Sequence, residues 1–153
     1  FIKYKMKIKK HSIIKPPYNI KQIKLGDKKK FGIKINKNLH HLFSKFSGDK
    51  SLLHTSKKFC EKNGFKDLVG YAFLIDCILS KIYGMYFPGG SELCLQHTSK
   101  FIKPYYINDY LNITITVTQK NFHAKLITLD VKINTRNNLI FEGETLLKLP
   151  LEK

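Results

Sequence analysis

Tyr71-Ala72-Phe73-Leu74-Ile75-Asp76-Cys77-Ile78-Leu79-Ser80-Lys81-Ile82-Tyr83-Gly84-Met85-Tyr86-Phe87 is the most apolar stretch of the chain. It is short for a membrane span, which takes about 20 apolar residues, and it carries Asp76 and Lys81. At helical spacing Ala72, Asp76, Ser80 and Tyr83-Gly84 fall on one narrow stripe, and every other direction is apolar. The spacing predicts a helix buried nearly all round, as if wrapped by a sheet, and ended by Pro88-Gly89-Gly90.

Beyond that helix the apolar period changes from 3.6 to 2. Glu92 to Ile102 reads as a strand closed by Lys103-Pro104, and Leu111 to Thr118 alternates with one apolar face. Ile127, Leu129, Val131 and Ile133 repeat the alternation, Asn137-Asn138 supplies a hairpin turn, and Leu139 to Leu149 is the last long strand. Before the helix, Leu25-Gly26-Asp27 is a turn and Lys30 to Ile35 a short strand. Asn36 or Asn38 can cap a helix through about Ser47, with Leu39, Leu42, Phe43 and Phe46 on one face. Thr55 or Ser56 can cap a short helix that stops at Asn63-Gly64. Residues 1–24 alternate loosely and reach Pro16-Pro17, so they read as a basic arm or extra strand ahead of a domain over 25–153. The order predicts an α+β domain whose antiparallel sheet curls round a long central helix.

The chain has 153 residues, enough for one domain with a proper core, and 42% apolar and 25% charged residues are values of a soluble globular protein. Its formal charge of +17 is carried almost wholly by lysine, since Arg136 is the only arginine. That lysine spread reads as a solvated surface able to attract an anionic partner, rather than as a specific nucleic-acid reader, which would use arginine forks. Cys60, Cys77 and Cys94 show no zinc spacing and are expected to be reduced, mostly buried thiols in a cytoplasmic protein, with no metal site. No signal peptide is read at the N-terminus. His11, His40, His41, His97 and His123 have no second ligand at metal spacing and are expected to be structural or surface residues.

One further stretch carries chemistry. Ser44-Lys45-Phe46-Ser47-Gly48-Asp49-Lys50-Ser51-Leu52-Leu53-His54 turns at Gly48 and sets a carboxylate and an imidazole five residues apart. That spacing cannot share one helical face. With Asp49 in the turn and His54 opening the next helix, both side chains can point into one cleft and share a water as a general acid–base pair.

From Leu25-Gly26-Asp27 to Lys148-Leu149-Pro150 the chain resembles the MaoC-like hydratases and dehydratases of the hot-dog fold. The family pattern Phe-x-x-x-Ser-Gly-Asp-x-Asn-Pro-x-His is matched from Phe43 to His54, with Ser51-Leu52 at the Asn-Pro places. The central helix, which commonly opens with His-Gly and carries a serine before Pro-Gly, here shows Tyr71-Ala72, Ser80 and Pro88-Gly89. Gln96, Phe101, Pro104 and Asp109 fit the strand–Pro–turn–strand signature. The resemblance implies reversible addition of water across the 2,3 double bond of an acyl thioester, giving an (R)-3-hydroxyacyl product. Asp49 and His54 would hold the water, and the Ala72 backbone N–H would receive the thioester oxygen. Ser51, Tyr71, Asp76 and Ser80 would line the substrate pocket, whose polar floor suits a short or hydroxylated acyl group. Coenzyme A or phosphopantetheine on an acyl-carrier protein would be the carrier, with no permanently bound cofactor, and a homodimer joined edge to edge is implied. Thioester hydrolysis on the same fold, or acyl-thioester binding without catalysis, are the alternative readings.

Overall fold

A computed structural model describes residues 9–10, 18–90, 92–136 and 138–150. Most of the N-terminal arm, with His11 and Pro16-Pro17, lies outside them, as does Asn137 of the expected hairpin turn. In chain order the elements are β1 (Lys9–Lys10), β2 (Lys28–Lys34), α1 (Lys37–Ser47), α2 (Leu52–Thr55), α3 (Lys57–Lys62), α4 (Ala72–Met85), β3 (Leu93–Phe101), β4 (Tyr110–Asn121), β5 (Leu126–Thr135) and β6 (Asn138–Lys148). The strands form one sheet in the order β1-β2-β4-β5-β6-β3, and every neighbouring pair is antiparallel. This is the expected α+β arrangement of a sheet around a long helix.

Register explains why the sheet holds that helix. Ile113 pairs with Ile133 and Ile115 with Val131, so the alternating apolar residues of β4 and β5 share one face. Phe141 continues the Ile133 row on β6, and Phe31 continues the Ile113 row on β2. Leu74, Ile75, Ile78, Leu79 and Ile82 of α4 are buried in the same cluster. Each such side chain contributes about 1.5–3 kcal/mol on burial. Tyr18, Ile20 and Ile23, from the segment read as arm, also belong to this core.

The helix is not buried all round, as its composition suggested. Phe73 is 69% exposed, Met85 63%, and Cys77 and Ser80 are open as well. The sheet ends at β3, and Phe73 meets Phe101 of that edge strand with ring centroids 6.3 Å apart. Leu93, Leu95 and Ile102 are exposed there too. The expectation of mostly buried thiols fails for the same reason: Cys60 is buried, but Cys77 and Cys94 stand on this open side.

Asn36 is the cap of α1, its side chain accepting from the Leu39 N–H at 2.9 Å. The helix buries Leu39, His40 and Ser44, whereas Phe46 is 85% exposed, so its buried face is rotated from the expected one. Gly48 ends α1 in the left-handed conformation (φ 73°), where its N–H meets the Ser44 carbonyl at 3.1 Å. Ser56 caps α3, which ends at Asn63. No helix among the described residues is long and apolar enough to cross a membrane.

Candidate active site

The Gly48 turn delivers Asp49 outward from the end of α1, and local bonds then fix its orientation. The Asp49 N–H donates to Ser47 Oγ (3.2 Å), and its Oδ1 accepts from the Ser51 N–H (2.9 Å). The Asp49 carbonyl accepts from Ser44 Oγ (3.1 Å) and the Tyr71 hydroxyl (3.0 Å). Oδ2 faces His54 Nε2 at 3.8 Å, with side-chain exposures of 44% for Asp49 and 14% for His54. That gap is too long for a direct hydrogen bond and within reach of one shared water.

The imidazole is held from both sides of its ring. His54 Nδ1 lies 2.8 Å from the Val69 carbonyl, which can only accept, so Nδ1 carries the proton and the neutral ring offers a lone pair at Nε2. Tyr71 lies beside the ring at a centroid distance of 4.0 Å and is only 1% exposed. It therefore supports the pair from beneath rather than facing open space, while Ser51 contributes its backbone N–H.

Tyr71 also joins the dyad to the start of α4. The Tyr105 hydroxyl donates to the Tyr71 carbonyl at 2.6 Å, and Gly70 N–H bonds to the Tyr105 carbonyl at 2.7 Å. A Cβ on Gly70 would collide with the Tyr105 ring, so the glycine permits this close approach. Burial chiefly, with Asp76 and Cys77 adding to it, pushes the Tyr105 phenol above its ordinary range and keeps it a donor. Ala72 is the first residue of α4, where backbone N–H groups have no intrahelical partner and the helix dipole is positive. It lines an apolar cleft of about 230 Å³ with Val69, Gly70, Ile75, Lys103 and Pro104.

Asp76 and Ser80 occupy a second cavity of about 340 Å³, with Leu79, Tyr83 and His97. The two spaces follow one stripe of α4, Ala72 and Ile75 in the first, Asp76, Leu79, Ser80 and Tyr83 in the second. Asp76 Oδ1 accepts from Ser99 Oγ (2.8 Å) and lies 3.3 Å from His97 Nε2, both on β3. The chain continues through His97 Nδ1 to Thr145 Oγ1 (2.7 Å) and from there to the Tyr83 hydroxyl (2.9 Å). The structure thus groups Asp49, His54, Ser51 and Tyr71 together and Asp76 with Ser80 further along the helix.

No protein-family model matches the chain. It is 24% identical over 128 residues to an (R)-specific enoyl-CoA hydratase of Rhodospirillum rubrum, covering 84% of this chain and 89% of the relative. It is 26% identical over 109 residues to an (R)-specific enoyl-CoA hydratase of Aeromonas caviae, covering 71% and 81%. The solved R-hydratase PhaJ1 from Pseudomonas aeruginosa matches the fold with a TM-score of 0.82 at 20% identity, covering 89% of this chain and 88% of that one. The chain has the hot-dog fold of this solved hydratase.

Several residues of the site have no legible sequence signal. His40 Nε2 donates to the His54 carbonyl at 2.9 Å, across fourteen positions of chain. The available clue was that His40 and Ser44 stand four apart, two polar residues on the face of Leu39 and Phe43. The partners of Asp76 on β3 depend on strand placement, which no local pattern states. Among the described residues no group of three or more His, Cys, Asp or Glu side chains could hold a metal.

His40 leads to a pH prediction for the hot-dog fold of this chain. Burial is the largest influence and holds its imidazole below the ordinary value of 6.5; the bond to His54 raises it, and the nearby His54 and His41 lower it. Its buried Nδ1 has no partner among the described residues to receive a second proton. The unfolded chain therefore takes up a proton that the folded one resists as pH falls below about 6.5. This contribution to stability is complete above that pH and is lost as pH drops toward the folded value. Thermal melts at pH 7.5 and 5.5 should show a smaller acid-induced loss of Tm in His40→Asn than in the wild type. Equal losses would remove His40 from the account.

Proposed function

We propose that the protein catalyses reversible hydration of a trans-2-enoyl thioester to the (R)-3-hydroxyacyl thioester. The observation that carries the reading is the Asp49–His54 pair, 3.8 Å apart, with the imidazole tautomer set by the Val69 carbonyl. Two acceptors at that separation suit a substrate water that donates to both. Overall, one proton moves from the water to C2 as the hydroxyl joins C3, and the dyad carries it. His54 exchanges it at Nε2, while the carboxylate stabilises the transient imidazolium. Charge gathers meanwhile on the thioester oxygen, and the Ala72 N–H at the positive end of α4 is assigned to receive it.

The relatives named enoyl-CoA hydratases support the reaction class. The acyl tail is assigned to the stripe of α4 running from Ala72 toward Asp76 and Ser80, whose polar groups favour a short or hydroxylated chain. Crotonyl-CoA should lose its conjugated-thioester absorbance on addition of the protein and yield the (R) product. Thiol release from a saturated acyl-CoA would instead identify a thioesterase, and tight binding without turnover a non-catalytic module.

The working unit is proposed to be a homodimer. Among the described residues β3 is one of the two edges of the sheet, and it carries the exposed Leu93, Leu95 and Phe101 beside Phe73 of α4. A bare apolar edge of this kind is stabilised by pairing with a second copy. Light scattering should give twice the chain mass, and a monomer at assay concentration would contradict the assignment.

A further inference from the structure

The chain carries 28 Lys and Arg against 11 Asp and Glu. A cleft of about 630 Å³ follows that balance, with Lys66, Lys103 and Arg136 in its wall. The cavity of about 340 Å³ beside Asp76 reverses it: Asp76 and Glu92 line it, and among the described residues no lysine or arginine does. We propose that this cavity receives a protonated amine at the far end of the acyl chain, so that the preferred substrate is an amino-substituted trans-2-enoyl thioester. The assignment rests on the hydratase reading for the chemistry at the other end of the molecule.

The acceptors of the cavity are the first support. Carboxylates only accept hydrogen bonds, so an occupant that satisfies them must donate. Glu92 Oε2 is shielded from solvent and has no hydrogen-bond partner among the described residues, which leaves its charge uncompensated by any internal donor. Asp76 Oδ1 is taken by Ser99 Oγ and His97 Nε2, and Oδ2 shares in neither bond. A hydroxyl would donate once and leave the negative charge in place. An ammonium donates three times and offsets it.

His97 does not supply that cation. Burial chiefly pushes the Tyr83 phenol above its ordinary range, so it keeps its proton and donates to Thr145 Oγ1 at 2.9 Å. The Thr145 hydroxyl is then free to donate to His97 Nδ1 at 2.7 Å, which leaves the ring proton on Nε2, facing Asp76. In this chain of bonds the imidazole is a neutral donor, and the two carboxylates set the charge of the cavity.

Reach is the third support. Asp76 and Ser80 stand four and eight residues beyond Ala72 on α4, about 6 and 12 Å along its axis. Glu92 is further on, its Oε1 beside Gly84 of the same helix. A thioester with its carbonyl at Ala72 thus brings the end of a short chain to the first carboxylate, with Leu79 and Leu147 available to its methylenes.

The test compares trans-5-aminopent-2-enoyl-CoA with pent-2-enoyl-CoA and 5-hydroxypent-2-enoyl-CoA in kcat/KM. The wild type should favour the amine over the alkyl thioester by about a hundredfold, two charge-assisted contacts of about tenfold each. Glu92→Gln and Asp76→Asn should each cut that preference by about tenfold. Glu144→Gln, which removes the same charge from an exposed position of β6, should leave it unchanged. Should Asp76→Asn fail to fold, Glu92→Gln against Glu144→Gln decides alone. A pentenoyl or hydroxypentenoyl thioester that equals the amine, or equal losses in the variants, would overturn the assignment while leaving the hydratase intact. Glu92-dependent binding of the amino thioester by calorimetry, without hydration of any thioester, would retain the cavity and refute the hydratase reading instead.

Discussion

Asp49→Asn is expected to reduce crotonyl-CoA hydration by about 10²–10⁴, the usual contribution of a positioned acid–base group, with little change in the melting temperature. The amide keeps an oxygen for the Ser51 N–H, and the side chain is already 44% exposed, so the turn loses no bond. It does lose the negative charge facing His54 Nε2. His54→Ala should be as damaging to turnover, with an added stability loss of about 1–2 kcal/mol from the broken bond to the Val69 carbonyl. Steady-state rates and melts on the same preparations separate the two effects. Full activity in either variant, with the fold intact, would exclude the dyad from the chemistry.

Ala72→Pro should cost about 10²–10³ in kcat, the size of one lost oxyanion donor. A backbone donor is seldom open to mutation without breaking its helix, but this position allows it. Ala72 is the first residue of α4, where proline is favoured because that N–H serves no intrahelical bond. Tyr71, the residue before it, is already extended at φ −69° and ψ 125°, the conformation a following proline requires. Stability should therefore change by no more than about 1 kcal/mol. Ala72→Gly, which retains the N–H, should stay within several-fold of wild type. Binding of butyryl-CoA, a saturated thioester, should weaken far less than kcat falls, which distinguishes a missing donor from a blocked cleft. Unchanged turnover in the proline variant would move the oxyanion contact elsewhere.

Particular elements show where sequence reasoning reached and where it stopped. The strand alternation at Ile113, Ile115 and Val117 was legible because side chains reverse face at every residue. The Asn36 cap and the Gly48 turn were legible because each satisfies a bond within a few residues of itself. Phe46 was placed on the wrong face because α1 buries His40 and Ser44, polar residues that hydropathy assigns to water. The open face of α4 was equally hidden: an isolated apolar helix does not report how far its sheet extends.

The order and type of the elements, the curled sheet with its central helix, and the turn that sets Asp49 ahead of His54 are all written in local sequence. These follow from backbone periods and short-range bonds, which every local segment carries within it. Long-range packing sets the rest: His54 presents Nε2, Asp76 is held by Ser99 beside His97, and Arg136 joins Lys66 and Lys103 around one cleft. Those groupings come from residues far apart in the chain, brought together by strand register and loop packing, whose geometry no local pattern specifies.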